Sequence, residues 1–92
     1  MKTSYEGYSE SERPIEAWCD PHQLHVRLAD GRAVSTPLWW YPLLLAATPA
    51  QRNMVELMLD GVHWPEIDED LSIDGMLKGR KAPGAKAPEK AA

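Results

Sequence analysis

From residue 14 to residue 36 apolar and polar side chains alternate with a period of two, the spacing of half-buried strands. In residues 14–20, Ile15, Ala17 and Cys19 fall on one face and Glu16, Trp18 and Asp20 on the other. Asp20-Pro21 is a turn initiator. The alternation resumes in residues 23–28, with Leu24, Val26 and Leu28 opposite Gln23, His25 and Arg27. Asp30-Gly31 supplies the positive-φ positions of a tight hairpin, and residues 32–36 return as a third strand around Ala33 and Val34.

After Pro37 the pattern changes to helical spacing, in Leu38, Tyr41, Leu44 and Leu45. Pro37 suits a first helical position and Pro42 does not suit a helix interior, so this helix either starts late or kinks at Pro42. Thr48-Pro49-Ala50-Gln51 is a capping box with proline at the first helical position. Ala50, Met54, Leu57 and Met58 then share one face, and Gly61 ends the predicted helix. Residues 62–71 read as extended, and Ser72 caps a last helical turn over 73–78 that Gly79 stops. The predicted class is α+β: a small antiparallel β-meander of three or four short strands packed against two short helices, with disordered tails.

Charge divides the chain further. The 92 residues carry a formal net charge of -4, yet residues 1–77 sum to -8 and the stretch from Lys78 onward to +4. We therefore expect a flexible segment over 1–13, a single domain over 14–79 and a disordered basic Ala/Lys/Pro tail over 80–92, whose composition offers little to bury. Such a tail suits weak, phosphate-directed association with nucleic acid or simple solubilisation. No apolar run reaches the ~18–20 residues of a membrane span, so no membrane partner is expected. The start of the chain shows no apolar signal region, and the lone Cys19 has no partner for a disulfide; both point to the cytoplasm.

Candidate chemistry is sparse. Cys19, His22 and His25, with His63 as a fourth, imitate zinc-ligand spacing, but alternation puts Cys19 and His25 on opposite faces and argues against a metal site. Asp70, Ser72, Asp74 and Gly75 imitate the start of a calcium loop whose twelfth position would be Lys81, which cannot ligate. No nucleophile elbow and no phosphate-cradling glycine loop occurs, so no catalytic residue, cofactor or enzymatic activity is expected. Glu66, Asp68, Glu69, Asp70 and Asp74 make either a solvated acidic edge or a surface that steers a basic partner. Trp39, Trp40, Tyr41 and Trp64 are too many large rings for so small a core to hide them all, so one of them either anchors an interface or lies flat on the rim of the domain.

Three segments together carry a resemblance: Trp40-Tyr41-Pro42-Leu43-Leu44-Leu45, Thr48-Pro49-Ala50-Gln51-Arg52, and the run from His63-Trp64-Pro65 through Asp68-Glu69-Asp70 to Gly75-Met76-Leu77. They resemble the bacterial domain of unknown function 2442 family over residues 15–79. The resemblance implies a small α+β domain without assigned catalysis, relatives of which stand beside a second small protein in toxin–antitoxin-type pairs. Some relatives carry a helix-turn-helix DNA-binding domain, for which nothing after Gly79 leaves room here. The functional expectation is an antitoxin-like interaction domain, a monomer or weak homodimer, that binds and neutralises a small protein partner through Trp40, His63, Trp64, Glu66, Asp68 and Asp70. The alternatives are a nucleic-acid accessory protein using the basic tail and, last, a small metal-dependent or hydrolytic enzyme.

Overall fold

A computed structural model describes residues 9–88. The predicted flexibility of residues 1–8 and 89–92 lies outside the described residues. The first sheet is an antiparallel meander of β1 (Pro14–Cys19), β2 (Gln23–Leu28) and β3 (Ala33–Pro37), in that spatial order. Both of its turns are closed by aspartates. Asp20 Oδ1 accepts from the backbone N–H of His22 and Gln23 at 2.8 and 2.7 Å, while Asp30 Oδ1 accepts from that of Arg32 ahead of a left-handed Gly31 (φ 98°). Alternation buries Leu24, Val26 and Leu28 completely. Ile15 departs from the expected face: a bulge between Pro14 and Glu16 shifts the register and turns it out to solvent, while Ala17 and Cys19 stay packed on the core.

A 3-10 turn (Leu38–Trp40) leads into α1 (Pro42–Leu45), so Pro42 opens the helix instead of kinking it. The capping box forms as predicted at α2 (Pro49–Arg52): Thr48 Oγ1 accepts from Gln51 N–H and Gln51 Oε1 from Thr48 N–H. The helix does not continue to Gly61. It ends at Arg52, and the chain becomes β4 (Glu56–Leu57). Two forces compete here. An isolated helix of that length is marginal in water, whereas β4 gains ladder bonds to β5 (Gly61–Trp64). Arg52 marks the stop, its guanidinium donating to the carbonyls of Leu44 (3.0 Å) and Leu45 (2.7 Å) and its own carbonyl accepting from the Trp64 indole (3.1 Å).

The stretch read as simply extended is a hairpin. β5 turns through residues 65–68, with Asp68 in the left-handed region (φ 56°), into β6 (Glu69–Ser72). The second sheet has the order β4-β5-β6, so among the described residues the strands number six in two sheets, more than the three or four expected, and the α-helices three. The α+β class holds. Ser72 caps α3 (Ile73–Leu77), accepting from Gly75 N–H at 2.9 Å. Gly79 (φ 77°) ends it in a paired C-cap, with Gly79 N–H bonding Met76 O and Arg80 N–H bonding Gly75 O.

One core unites these pieces: Leu24, Val26 and Leu28 from the first sheet, Val62 and Trp64 from the second, and Leu38, Tyr41, Leu44, Ile73 and Met76 from the helical segments. Tyr41 brings a polar handle into it and satisfies that handle by donating its hydroxyl to Thr36 Oγ1 (2.8 Å), itself buried. Disorder from residue 80, read from composition, overlooks specific contacts. Ala82 packs on the core and donates its N–H to Trp40 O (2.9 Å), and Lys81 Nζ lies 4.8 Å from the Trp40 ring centroid. Residues 9–13 are likewise tied down, through Ala29 N–H to Arg13 O and Asp30 N–H to Ser11 O. Among the described residues no helix is long and apolar enough to cross a membrane.

Candidate functional site

The second sheet sorts its side chains by the pleat. Val62 and Trp64 of β5 face inward, so their partners across the ladder, Leu71 and Glu69, face inward too. His63, Asp70 and Glu56 form the complementary row on the outer face, Glu56 opposite His63 and His63 opposite Asp70. His63 Nδ1 donates to Asp70 Oδ1 at 2.7 Å, since an ionised carboxylate only accepts. Glu66 and Asp68 stand exposed on the connecting turn, and Asp70 keeps 79% of its side-chain surface. Four expected contact residues, His63, Glu66, Asp68 and Asp70, are therefore collected on one hairpin. Trp40 and Trp64 are not. Trp40 is half-buried beneath Lys81 and meets Trp39 and Tyr41 edge to face at 6.5 and 6.2 Å. Trp64 is only 1% exposed and spends its one donor on Arg52, so it is a core residue and presents nothing to a partner.

The sequence reading passed over the acid that the fold treats most unusually. Glu69 sits inside the run Asp68-Glu69-Asp70, and its step of two from Leu71 places it on the core side, the signal that identifies it. It retains 8% of its surface, and no hydrogen bond or ion pair reaches its carboxylate among the described residues. Burial, followed by repulsion from Asp70 and Asp68, raises its pKa above the ordinary carboxylate value. It lines a cavity of about 250 Å³ whose wall includes Tyr41, Gly75, Met76, Arg80 and Ala82.

Around Cys19 the side chains assemble differently from a metal set. His25 Nε2 meets Asp20 Oδ2 at 2.8 Å and His25 Nδ1 meets Ser35 Oγ at 2.7 Å, so both ring nitrogens are engaged. The register explains it: Trp18, His25 and Ser35 lie directly opposite one another across β1, β2 and β3, and the Trp18 ring stacks on His25 at 5.3 Å. The bond from His25 and the two backbone donors of the turn lower the Asp20 pKa to about 2. The Asp20 carboxylate accepts from Nε2–H, and Nδ1 shares a hydrogen bond with the Ser35 hydroxyl. The three side chains lie on the outward face of the meander and act as a polar clamp at the Asp20 turn. Burial raises the pKa of the Cys19 thiol, against the pull of nearby Arg52, and so keeps it protonated and inert.

Apolar side chains expected in the core appear at the surface. Met54, Leu57 and Met58 are 52, 44 and 49% exposed because the helix that would have turned them inward ends at Arg52. Leu57, Met58 and Leu59, at the β4–β5 turn, line a shallow hollow with Ile15.

Two three-stranded antiparallel sheets closed by short helices, with an acidic outer hairpin and a carboxylate turned into the core, define a small α+β domain. The family model for proteins of unknown function DUF2442 matches residues 14–82, and the chain belongs to that family. A protein of unknown function from Rhodospirillum rubrum ATCC 11170, known from a crystal structure, is similar with a TM-score of 0.69 and 28% identity, over 79% of this chain and 93% of that one. An uncharacterized protein from Chromobacterium violaceum, known from solution NMR, shares the fold with a TM-score of 0.68 and 22% identity, over 78% of this chain and 70% of that one. No curated protein matches the sequence.

Proposed function

We propose that the domain is a non-enzymatic, antitoxin-like interaction module whose acidic β5–β6 hairpin receives a basic segment of a small protein partner. One observation carries this reading: Glu66, Asp68 and Asp70 stand together on an exposed hairpin with no Lys or Arg paired to any of them among the described residues. Surface acids that no Lys or Arg neutralises raise the rate of encounter with a basic partner. The apolar side chains of Leu57, Met58 and Leu59 offer area for desolvation once the partner has arrived. Trp64, 1% exposed, drops out of the contact set, and Trp40 is not among the hairpin's side chains.

The test is co-expression with the product of the adjacent gene, co-purification, and association kinetics at two salt concentrations. The triple variant Glu66→Gln, Asp68→Asn, Asp70→Asn removes the charge and preserves the fold, since asparagine tolerates the positive φ at position 68. Association should slow at least about tenfold at low salt, and the difference should shrink as salt rises. An unchanged association rate in the variant, or no complex at all, refutes the reading.

A further inference from the structure

The cavity beside Glu69 is lined by two acids, Glu69 and Asp70, and two cations, Arg80 and Lys81, and Glu69 pairs with neither cation. Glu69 contributes a carboxylate on a side chain that is more than nine-tenths buried; it makes no hydrogen bond or ion pair among the described residues, and its oxygens remain open to the cavity. Arg80 contributes a guanidinium that makes no ion pair or side-chain hydrogen bond among the described residues. Proteins ordinarily give a largely buried acid a donor, and at Glu69 only the open side of the cavity can supply one. Glu69 and Arg80 line the same wall, yet their charged groups stay beyond salt-bridge distance.

The local fold fixes both backbones. That of Glu69 is held by its ladder pairing with Trp64, and that of Arg80 by the C-cap bond of its N–H to Gly75 O at 2.8 Å. Gly75 keeps the space between open: a Cβ there would come within 2.8 Å of Ser72 Oγ and 3.5 Å of the Arg80 guanidinium. The other cation at the mouth, Lys81, is drawn to the Trp40 ring and leaves Glu69 unneutralised. Tyr41 and Met76 supply apolar wall, and the Tyr41 hydroxyl proton is already committed to Thr36.

We propose that this cavity binds a small zwitterion of the α-amino-acid type, its ammonium on Glu69 and its carboxylate on Arg80. The size agrees. A volume of about 250 Å³ is the share of roughly eight waters at ~30 Å³ each, room for a molecule of about eight non-hydrogen atoms. The guanidinium fork matches a carboxylate in a planar, two-bond geometry, and a buried carboxylate selects a compact ammonium with its three donors. A simple amine would face the Arg80 charge unpaired, and a simple acid would face Glu69. Both charges are therefore required of the ligand.

The experiment is an NMR titration of the ¹⁵N-labelled full-length chain with free amino acids of small and medium side chain. Each is compared with its methyl ester, which lacks the carboxylate, and its N-acetyl derivative, which lacks the ammonium. The expected result is saturable shifts at Tyr41, Glu69, Gly75 and Arg80 with at least one free amino acid, and affinity weaker by about tenfold or more for both blocked forms. Glu69→Gln and Arg80→Gln should each reduce affinity by a similar factor while leaving the spectrum otherwise folded. Arg80 is exposed, so its variant keeps the test valid if the Glu69 variant misfolds. Absence of saturable shifts with every free amino acid overturns the proposal, as does binding of an ester or an N-acetyl form equal to that of the parent.

Discussion

Replacing Trp64 with phenylalanine separates a core role from an interface role. The side chain is 1% exposed and its indole N–H donates 3.1 Å to Arg52 O, the point at which α2 stops. Phenylalanine would keep most of the apolar contact but lose part of the ring volume, for about 1–2 kcal/mol. It would also strand the Arg52 carbonyl, for about 1 kcal/mol more. A loss of about 2–3 kcal/mol is large for a domain of this size, whose total stability is on the order of 4–12 kcal/mol. With a urea m-value of about 1–1.5 kcal/mol/M, the unfolding midpoint followed by far-UV circular dichroism should fall by about 2 M. Affinity for a protein partner, measured well below that midpoint, should hardly change. A midpoint within about 0.3 M of the parent's, combined with lost partner binding, would refute the core assignment and return Trp64 to the surface.

Two further substitutions test how the second sheet is built. Gly61→Ala should destabilise the fold by about 1–3 kcal/mol, because the new methyl would press on the backbone carbonyl of Leu71 across the ladder, where no side chain can yield; an unchanged thermal midpoint would contradict the β5–β6 register. Glu69→Gln should make the protein more stable at neutral pH. The folded pKa of Glu69 lies above its unfolded value, so the folded state binds the proton more tightly, and stability falls as pH rises from the unfolded value through the folded one. Melting temperatures of parent and variant should therefore converge in acid and diverge towards pH 7, and a variant less stable than the parent at pH 7 would show that the carboxylate has a compensating partner.

The parts of the fold that were legible in the sequence are those in which local and tertiary preferences agree. The first meander needed only alternation and two aspartate turns, and Leu24, Val26 and Leu28 are as deeply buried as the pattern demanded. The Thr48 and Ser72 caps formed because their chemistry is local. Where tertiary contacts outweighed local preference the reading failed. Ala50, Met54, Leu57 and Met58 have the spacing of a helical face, but nothing in that spacing reports that Trp64 and the α1 carbonyls hold Arg52 and end the helix there. Ile15 followed its alternation up to a bulge that no residue announces. Ala82 carries no compositional signal at all, yet the position it fills beside Trp40 fixes the path of the chain after α3.

The acidic run shows how such a failure bears on function. As composition, Glu66, Asp68, Glu69 and Asp70 are one patch and invite one explanation. As a hairpin they are two, because the pleat sends alternate residues to opposite faces. Glu66, Asp68 and Asp70 stay in water, where their charge acts at a distance and is screened by salt. Glu69 is carried to the inner side, where water and salt screen its charge less and where burial penalises the ionised form until a positive group enters the cavity. The two sets thus make demands of different kinds, a long-range field for a large basic partner and a short-range contact for a small one. They can be tested apart: salt should weaken association at the outer acids steeply and binding at Glu69 only slightly.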